Sequence, residues 1–258
     1  MTAANDNLAK LADSLFSARS ANRAMGDADA HTFPGAPSSA YAVQDRLIVL
    51  EGGPTRYWKL GAPTIQSQAG LGLNEPFCGP MFTDVCQASP GRFATSTFPV
   101  HVFEPEIAIR LRADLDGAAE MTVARARAAI ASMHPAIELI NWRFGNTGKL
   151  GALAMIADYA ANGGFVLGEA MPDDVDYWSL PLEVRINGAP VAHRTPPAPE
   201  TDPASLLAWC ARHLAARGYR LSAGDIITTG SQAGVLPYRP GDQIEVDFGP
   251  GGTVRARF

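Results

Sequence analysis

The sequence has only three cysteines in 258 residues, Cys78, Cys86 and Cys210, and no two share the CxxC spacing of a zinc or redox motif. An odd number without a pattern gives no disulfide framework, so buried thiols are expected. Histidine is scarce as well. His31, His101, His134, His193 and His213 form neither HxH nor HExxH, which disfavours a zinc hydrolase. No apolar run reaches the ~18 residues of a membrane span, so a membrane is not an expected partner. The opening MTAANDNLAK has neither a basic n-region nor an apolar h-region, and a cytoplasmic location is expected. The 21 lysines and arginines stand against 26 acidic residues and nowhere cluster densely enough to neutralise a row of phosphates, so nucleic acid is not an expected partner either. Gly230-Ser231-Gln232-Ala233-Gly234 is not a GxSxG elbow, because its serine follows the first glycine directly. GGFVLG (163 to 168) lacks the phosphate-loop pattern and reads as a turn into a strand.

What is present suits a β-containing domain. With 47% hydrophobic and 18% charged residues, a chain of this length buries most of its unfolded surface without staples. Its 25 glycines and 20 prolines are scattered, as in a turn-rich protein. Leu8, Leu11, Leu15 and Phe16 make a helical stripe over 8 to 16, and AMGDADAHTFPGAPSS (24 to 39) reads as a linker. Residues 41 to 50 form a second helix ended by Gly52-Gly53-Pro54. TRYWKLG and VFEPEIAIRL are β-type, residues 122 to 134 are helix-prone, and IELINWRF (137 to 144) has the apolar texture of a buried strand. Asp202, Pro203 and Gly218 bracket a helix as N-cap, first position and C-terminal stop. Alternation from Leu180 to Ile186 runs into Asn187-Gly188, a type I′ hairpin signal, and a second hairpin is expected around Gly249-Pro250-Gly251-Gly252. The expected fold is α+β, with mixed sheets interrupted by single helices. An N-terminal helical segment and linker over 1–55 precede a main domain over 56–258.

Three carboxylates carry the chemical signal. In a strand, Glu104 and Glu106 point the same way, and Pro105 between them removes a ladder donor, which places the segment at an edge or a bulge. Two like charges on an otherwise apolar strand need water or a cation, unless they simply form a solvated face. Glu138 is the only charged residue between His134 and Arg143, and a buried carboxylate needs a partner. A hard divalent cation shared with Glu104 and Glu106 is one such partner, and Arg143 is the other. Lys59, among Trp58, Leu60 and Gly61, is either a solvated charge or an acid, base or carboxylate anchor whose pKa burial lowers.

Several segments in order strengthen the cation reading. AYAVQ (40 to 44), WKLG with T-x-x-x-Q (58 to 68), GLGLNEPFCGPMF (70 to 82), FEPEIAI (103 to 109), HPAIELINWRF (134 to 144), IADYAANGGFVLG (156 to 168) and the ending RGYRLSAGDIITTGSQAG (217 to 234) resemble the fumarylacetoacetate hydrolase superfamily. Within it, they are similar to the branch of 2-oxopent-4-enoate (2-hydroxypentadienoate) hydratases and 4-oxalocrotonate decarboxylases. The resemblance covers residue 40 to the end. It implies a β roll or barrel of mixed sheet of the family's C-terminal-domain type, with a few flanking helices, the N-terminal helices being an appendage. It also implies a Mg2+ or Mn2+ ion on Glu104, Glu106 and Glu138, held in common with the carboxylate and 2-oxo oxygen of a small 2-oxo acid. Lys59 matches the family's active-site lysine, and Ser231 and Gln232 occupy the loop that faces the substrate in relatives. A homo-oligomer, dimeric or larger, is implied too. The hydratase reaction leads, with decarboxylation or C–C hydrolysis as alternatives and a non-catalytic partner subunit as a reading of another class. The last is favoured by Phe77-Cys78, which stands where hydratases carry an Asp-aromatic pair implicated in proton transfer.

Overall fold

The computed structural model describes residues 3–25, 35–94, 98–117, 120–144, 147–196 and 201–258. Two helices come first, α1 (Ala3–Ser20) and α2 (Pro37–Leu50). The stretch 24–39 lies partly outside the described residues. Pro37 opens α2, where its missing N–H costs nothing. There follow β1 (Tyr57–Gly61), α3 (Ile65–Gly70), β2 (Phe77–Met81), β3 (Cys86–Ala88), β4 (Gly91–Arg92) and β5 (Val102–Leu111). Then α4 (Val123–Ala128) leads into β6 (Ile130–Ile140), and α5 (Thr147–Ala157) leads into β7 (Asn162–Leu167). The remainder comprises β8 (Leu182–Ile186), β9 (Ala189–Arg194), α6 (Pro203–Ala216), β10 (Ile226–Ser231), β11 (Leu236–Pro237), β12 (Gln243–Asp247) and β13 (Thr253–Arg257).

Eight strands make a curled mixed sheet ordered β2-β1-β10-β5-β6-β7-β3, with β11 also pairing β5, and five make a second sheet ordered β4-β13-β12-β8-β9. Alternation along the strands divides the core. Phe103, Ile137, Leu139 and Val166 face the second sheet, where Val184, Ile244, Val246 and Val254 meet them. Trp58, Leu60 and Ile227 face the helices instead, under Leu11 and Leu15 of α1, Val43 and Leu47 of α2, and Leu207 and Leu214 of α6. The inner face of the curl holds Met81, Ala108, Ala136, Phe165 and Ile226. The mixed-sheet α+β architecture is therefore as expected. Residues of α1 and α2 share one core cluster with residues of β1 and β2.

Local signals translated unevenly. Asn187 and Gly188 have φ of 52° and 82°, the positive pair that a type I′ turn requires, and they join β8 to β9. The Asp202 side chain accepts from the Ala204 amide at the start of α6. The helix-prone stretch 122 to 134 is mostly not helix. It stops at Ala128, and 130 to 134 enter β6, because pairing Leu111 with Ile130 and Arg110 with Ser132 satisfies the backbone of both strands. The expected strand over 137 to 144 ends at Ile140, since the backbone N–H groups of Asn141 and Arg143 are diverted to the Ala161 carbonyl and to Asp158 Oδ2. Gly163 and Gly164 lie inside β7 rather than in a turn before it. A Cβ on Gly163 would come within 2.3 Å of the Asn141 Cβ. All three cysteines are free thiols, with Cys78 and Cys210 buried and Cys86 half-buried.

Candidate active site

Register builds the site. In the antiparallel pair of β5 and β6, Glu104 stands directly across from Glu138, and Glu106 follows on the same face. One oxygen from each of the three carboxylates falls within 4.8 Å of the others. Glu106 and Glu138 are fully buried, and Glu104 is half-buried at the mouth. Strand β5 is interior, not an edge. The break that Pro105 needs is on its neighbour, where β10 shifts register between Thr228 and Ser231 and the Gln232 amide donates to the Pro105 carbonyl at 2.7 Å. Gly230 in that bulge has φ of 85° and donates its N–H to Glu106 Oε2 at 2.8 Å.

Lys59 reaches the carboxylates from β1, with β10 between its strand and β5, so the curl of the sheet sets the contact. Its Nζ lies 2.9 Å from Glu138 Oε2 and 3.5 Å from Glu104 Oε2. Burial alone would lower the Lys59 pKa, but Glu138, Glu104 and Glu106 outweigh it and the net direction is upward, contrary to the expected lowering. Burial, then Glu138 and Glu104, raise Glu106 well above the ordinary carboxylate range. Burial also pushes Glu138 up to about 7, against the pull of Lys59. Arg143, the other partner considered for Glu138, is engaged with Asp158 at 3.6 Å. Glu138 Oε1 instead accepts from Asn162 Nδ2 at 2.9 Å.

These residues fit a hard divalent cation. Glu106 Oε1 is buried with no hydrogen-bond partner among the described residues, and a single ammonium faces three carboxylates. All the donors are oxygens, the set that magnesium and manganese prefer.

Beside the carboxylates opens a cavity whose walls include Lys59, Glu104, Phe77, Trp142, Met155 and Ser231. Ser231 Oγ donates to the Gly234 carbonyl at 2.8 Å on its rim. Gln232 is not brought in: its side chain turns to Arg194, which donates to Oε1 at 3.0 Å. Phe77 borders the cavity, but Cys78, one residue along β2, points the opposite way toward Arg217. The far wall, residues Tyr159 to Ala161, is a left-handed turn with φ of 51°, 56° and 62°. Gly79 accommodates this turn, since a Cβ there would lie 2.5 Å from the Tyr159 carbonyl carbon.

Sequence reasoning missed Asn162, whose place in the run Ala-Asn-Gly-Gly offered only one signal, an amide in an otherwise apolar stretch. It also missed Asp158, which receives Arg19 Nη1 of α1 at 2.7 Å. Arg19 Nη2 and Arg143 Nη1 both donate to the Asn162 carbonyl. These contacts hold Asn162, whose side-chain amide in turn donates to Glu138.

Known proteins share this arrangement of chain. Residues 88–258 match the fumarylacetoacetate (FAA) hydrolase C-terminal family. A 2-oxo-hept-4-ene-1,7-dioate hydratase of Escherichia coli is 33% identical over 85% of this chain and 85% of its own. The TodF product hydratase of Pseudomonas putida is 30% identical over 85% of this chain and 83% of its own. Among solved structures, 4-oxalocrotonate decarboxylase from Pseudomonas putida G7, complexed with magnesium and adipate, superposes with a TM-score of 0.87 at 26% identity, covering 100% of this chain and 98% of that one. With the family matched over most of the chain and both hydratases and a decarboxylase alike along nearly its whole length, this chain belongs to the fumarylacetoacetate hydrolase family of enzymes, in its hydratase and decarboxylase branch.

Proposed function

We propose that the chain is a Mg2+- or Mn2+-dependent hydro-lyase that adds water to a small unsaturated 2-oxo acid, formed by ketonisation of a 2-hydroxydienoate, in the catabolism of aromatic ring-cleavage products. The observation that carries this reading is the convergence of Glu104, Glu106 and Glu138 beside Lys59, with Lys59 and Glu104 on the wall of a cavity. A divalent cation bound there supplies Lewis-acid stabilisation of an enolate. The carboxylates hold it, and Asn162 orients Glu138 for that task. Lys59 Nζ, 2.9 Å from Glu138 Oε2 on the cavity wall, is placed to pass a proton to or from a substrate there. Ser231 adds a hydroxyl at the rim. Phe77 brings no titratable group, so proton transfer on that side falls to Lys59 or to water.

Decarboxylation of a 4-oxalocrotonate-type acid is the second reading, favoured by the likeness to the decarboxylase over the whole chain. We further propose a cytoplasmic homo-oligomer, in keeping with the family resemblance; no helix among the described residues is long and apolar enough to cross a membrane. Incubating the Mg2+-loaded protein with a panel of 2-hydroxydienoates and oxalocrotonate-like acids, while following conjugated absorbance and released carbon dioxide, tests the reading. Loss of absorbance without carbon dioxide is the expected result. Carbon dioxide release would establish the second reading, and no turnover with any acid would leave the partner-subunit reading.

A further inference from the structure

We infer that the substrate's far end is an uncharged alkyl or aryl tail, and that the site discriminates against 2-oxo acids ending in a second carboxylate. This inference rests on the 2-oxo acid reading. Beyond Lys59 and Glu104 the cavity is walled by Leu71, Phe77, Ile140, Trp142, Met155 and Val235. Lys59 is the one cation on its lining among the described residues, and it is already paired with Glu138 and Glu104. Two buried or half-buried guanidinium groups are committed elsewhere, Arg143 to Asp158 and Arg194 to Gln232 and the Leu180 carbonyl. Among the described residues a distal carboxylate would therefore lose water without gaining a counter-charge, which is unfavourable, whereas methylenes or a ring gain by leaving water.

Size agrees. The cavity, of about 330 Å³, is larger than an acid head needs. Phe77 is 4% exposed and its ring lies against the backbone of Gly61, where an added Cβ would meet Phe77 Cζ at 2.2 Å. Phe77 is thus held in place on the apolar wall by close packing.

Calorimetric titration of the full-length, Mn2+-loaded protein with unreactive saturated acids separates head from tail. 2-Oxobutanoate, 2-oxohexanoate and 2-oxooctanoate should bind progressively tighter, by about threefold to fourfold per buried methylene. 2-Oxoadipate, equal in length to 2-oxohexanoate, should bind at least about tenfold more weakly than it. If the alkyl acids bind and 2-oxoadipate matches or exceeds 2-oxohexanoate, the tail assignment falls while the 2-oxo acid reading stands. If none of the four binds, both fall. Phe77→Ala should flatten the gain from 2-oxobutanoate to 2-oxooctanoate and leave Mn2+ and 2-oxobutanoate affinity in place; an undiminished gain would overturn the assignment. Should that variant fail to fold, Val235→Ser at the 53% exposed rim serves the same purpose, with a smaller loss for the longest tail expected and no loss counting against the proposal.

Discussion

At Glu106, charge and shape can be separated, because glutamine keeps the length of the side chain while removing its negative charge. Glu106→Gln should abolish turnover of any 2-oxo acid and weaken Mn2+ binding by at least about tenfold, since a neutral amide weakens both affinity and placement. Mn2+ titration and turnover measured together decide this, and a variant retaining both would refute the mechanism. Lys59→Met should keep most of the Mn2+ affinity and slow the proton-transfer step, because its Nζ contacts the carboxylates without being one of the three. Protonation offers another handle. The folded protein holds Glu138 at about 7 against an ordinary 4.5, so in the metal-free protein its contribution to stability is present below about pH 4.5 and is lost as pH rises to about 7. A cation has to displace that proton, and Mn2+ affinity should climb as pH rises through 7, with proton release detectable in buffers of different ionisation heat. Affinity that stays flat between about pH 5 and 8 would contradict this. The three glutamates were legible in the sequence because strand parity and an isolated buried charge each leave a trace. The contact between Lys59 and Glu138 was not, because it depends on curvature accumulated across an intervening strand.

Among the elements, β2 and the left-handed turn Tyr159–Ala161 set the cavity wall by close backbone approach, with Gly79 as the point of contact. Gly79→Ala should cost about 1–3 kcal/mol through overpacking. In a chain of this size that lowers the melting temperature by roughly 2–12 °C, readable by calorimetry. An unchanged melting temperature would show that the turn can retreat. The same elements explain what local sequence conceals. Strand β5 begins and ends where its residue pattern says, but β6 claims Ile130 to His134 from a helix-prone run because its partner strand is already in place. Gly163 and Gly164 signal a turn to a reader of sequence, and in the sheet they allow neighbouring side chains to approach the strand closely.

Across the whole molecule, the cation and the fold should be linked by mass action. Two buried carboxylates and a half-buried third, with one ammonium between them, destabilise the metal-free protein, so Mg2+ should raise the melting temperature progressively with concentration. The same titration on Glu106→Gln should show little response, and an equal rise in both proteins would mean that the cation acts elsewhere. The site also has a long reach. Arg19 lies 139 positions before Asp158 in the chain, yet its guanidinium binds that carboxylate, donates to the Asn162 carbonyl and covers the Tyr159 ring at 4.1 Å. The first helix therefore braces the residues behind Glu138, the carboxylate we propose as a metal ligand, and damage to the amino terminus by clipping, by a bulky fusion or by Arg19→Ala should register as an active-centre defect, with weaker Mn2+ binding in a protein whose proposed site residues are all intact.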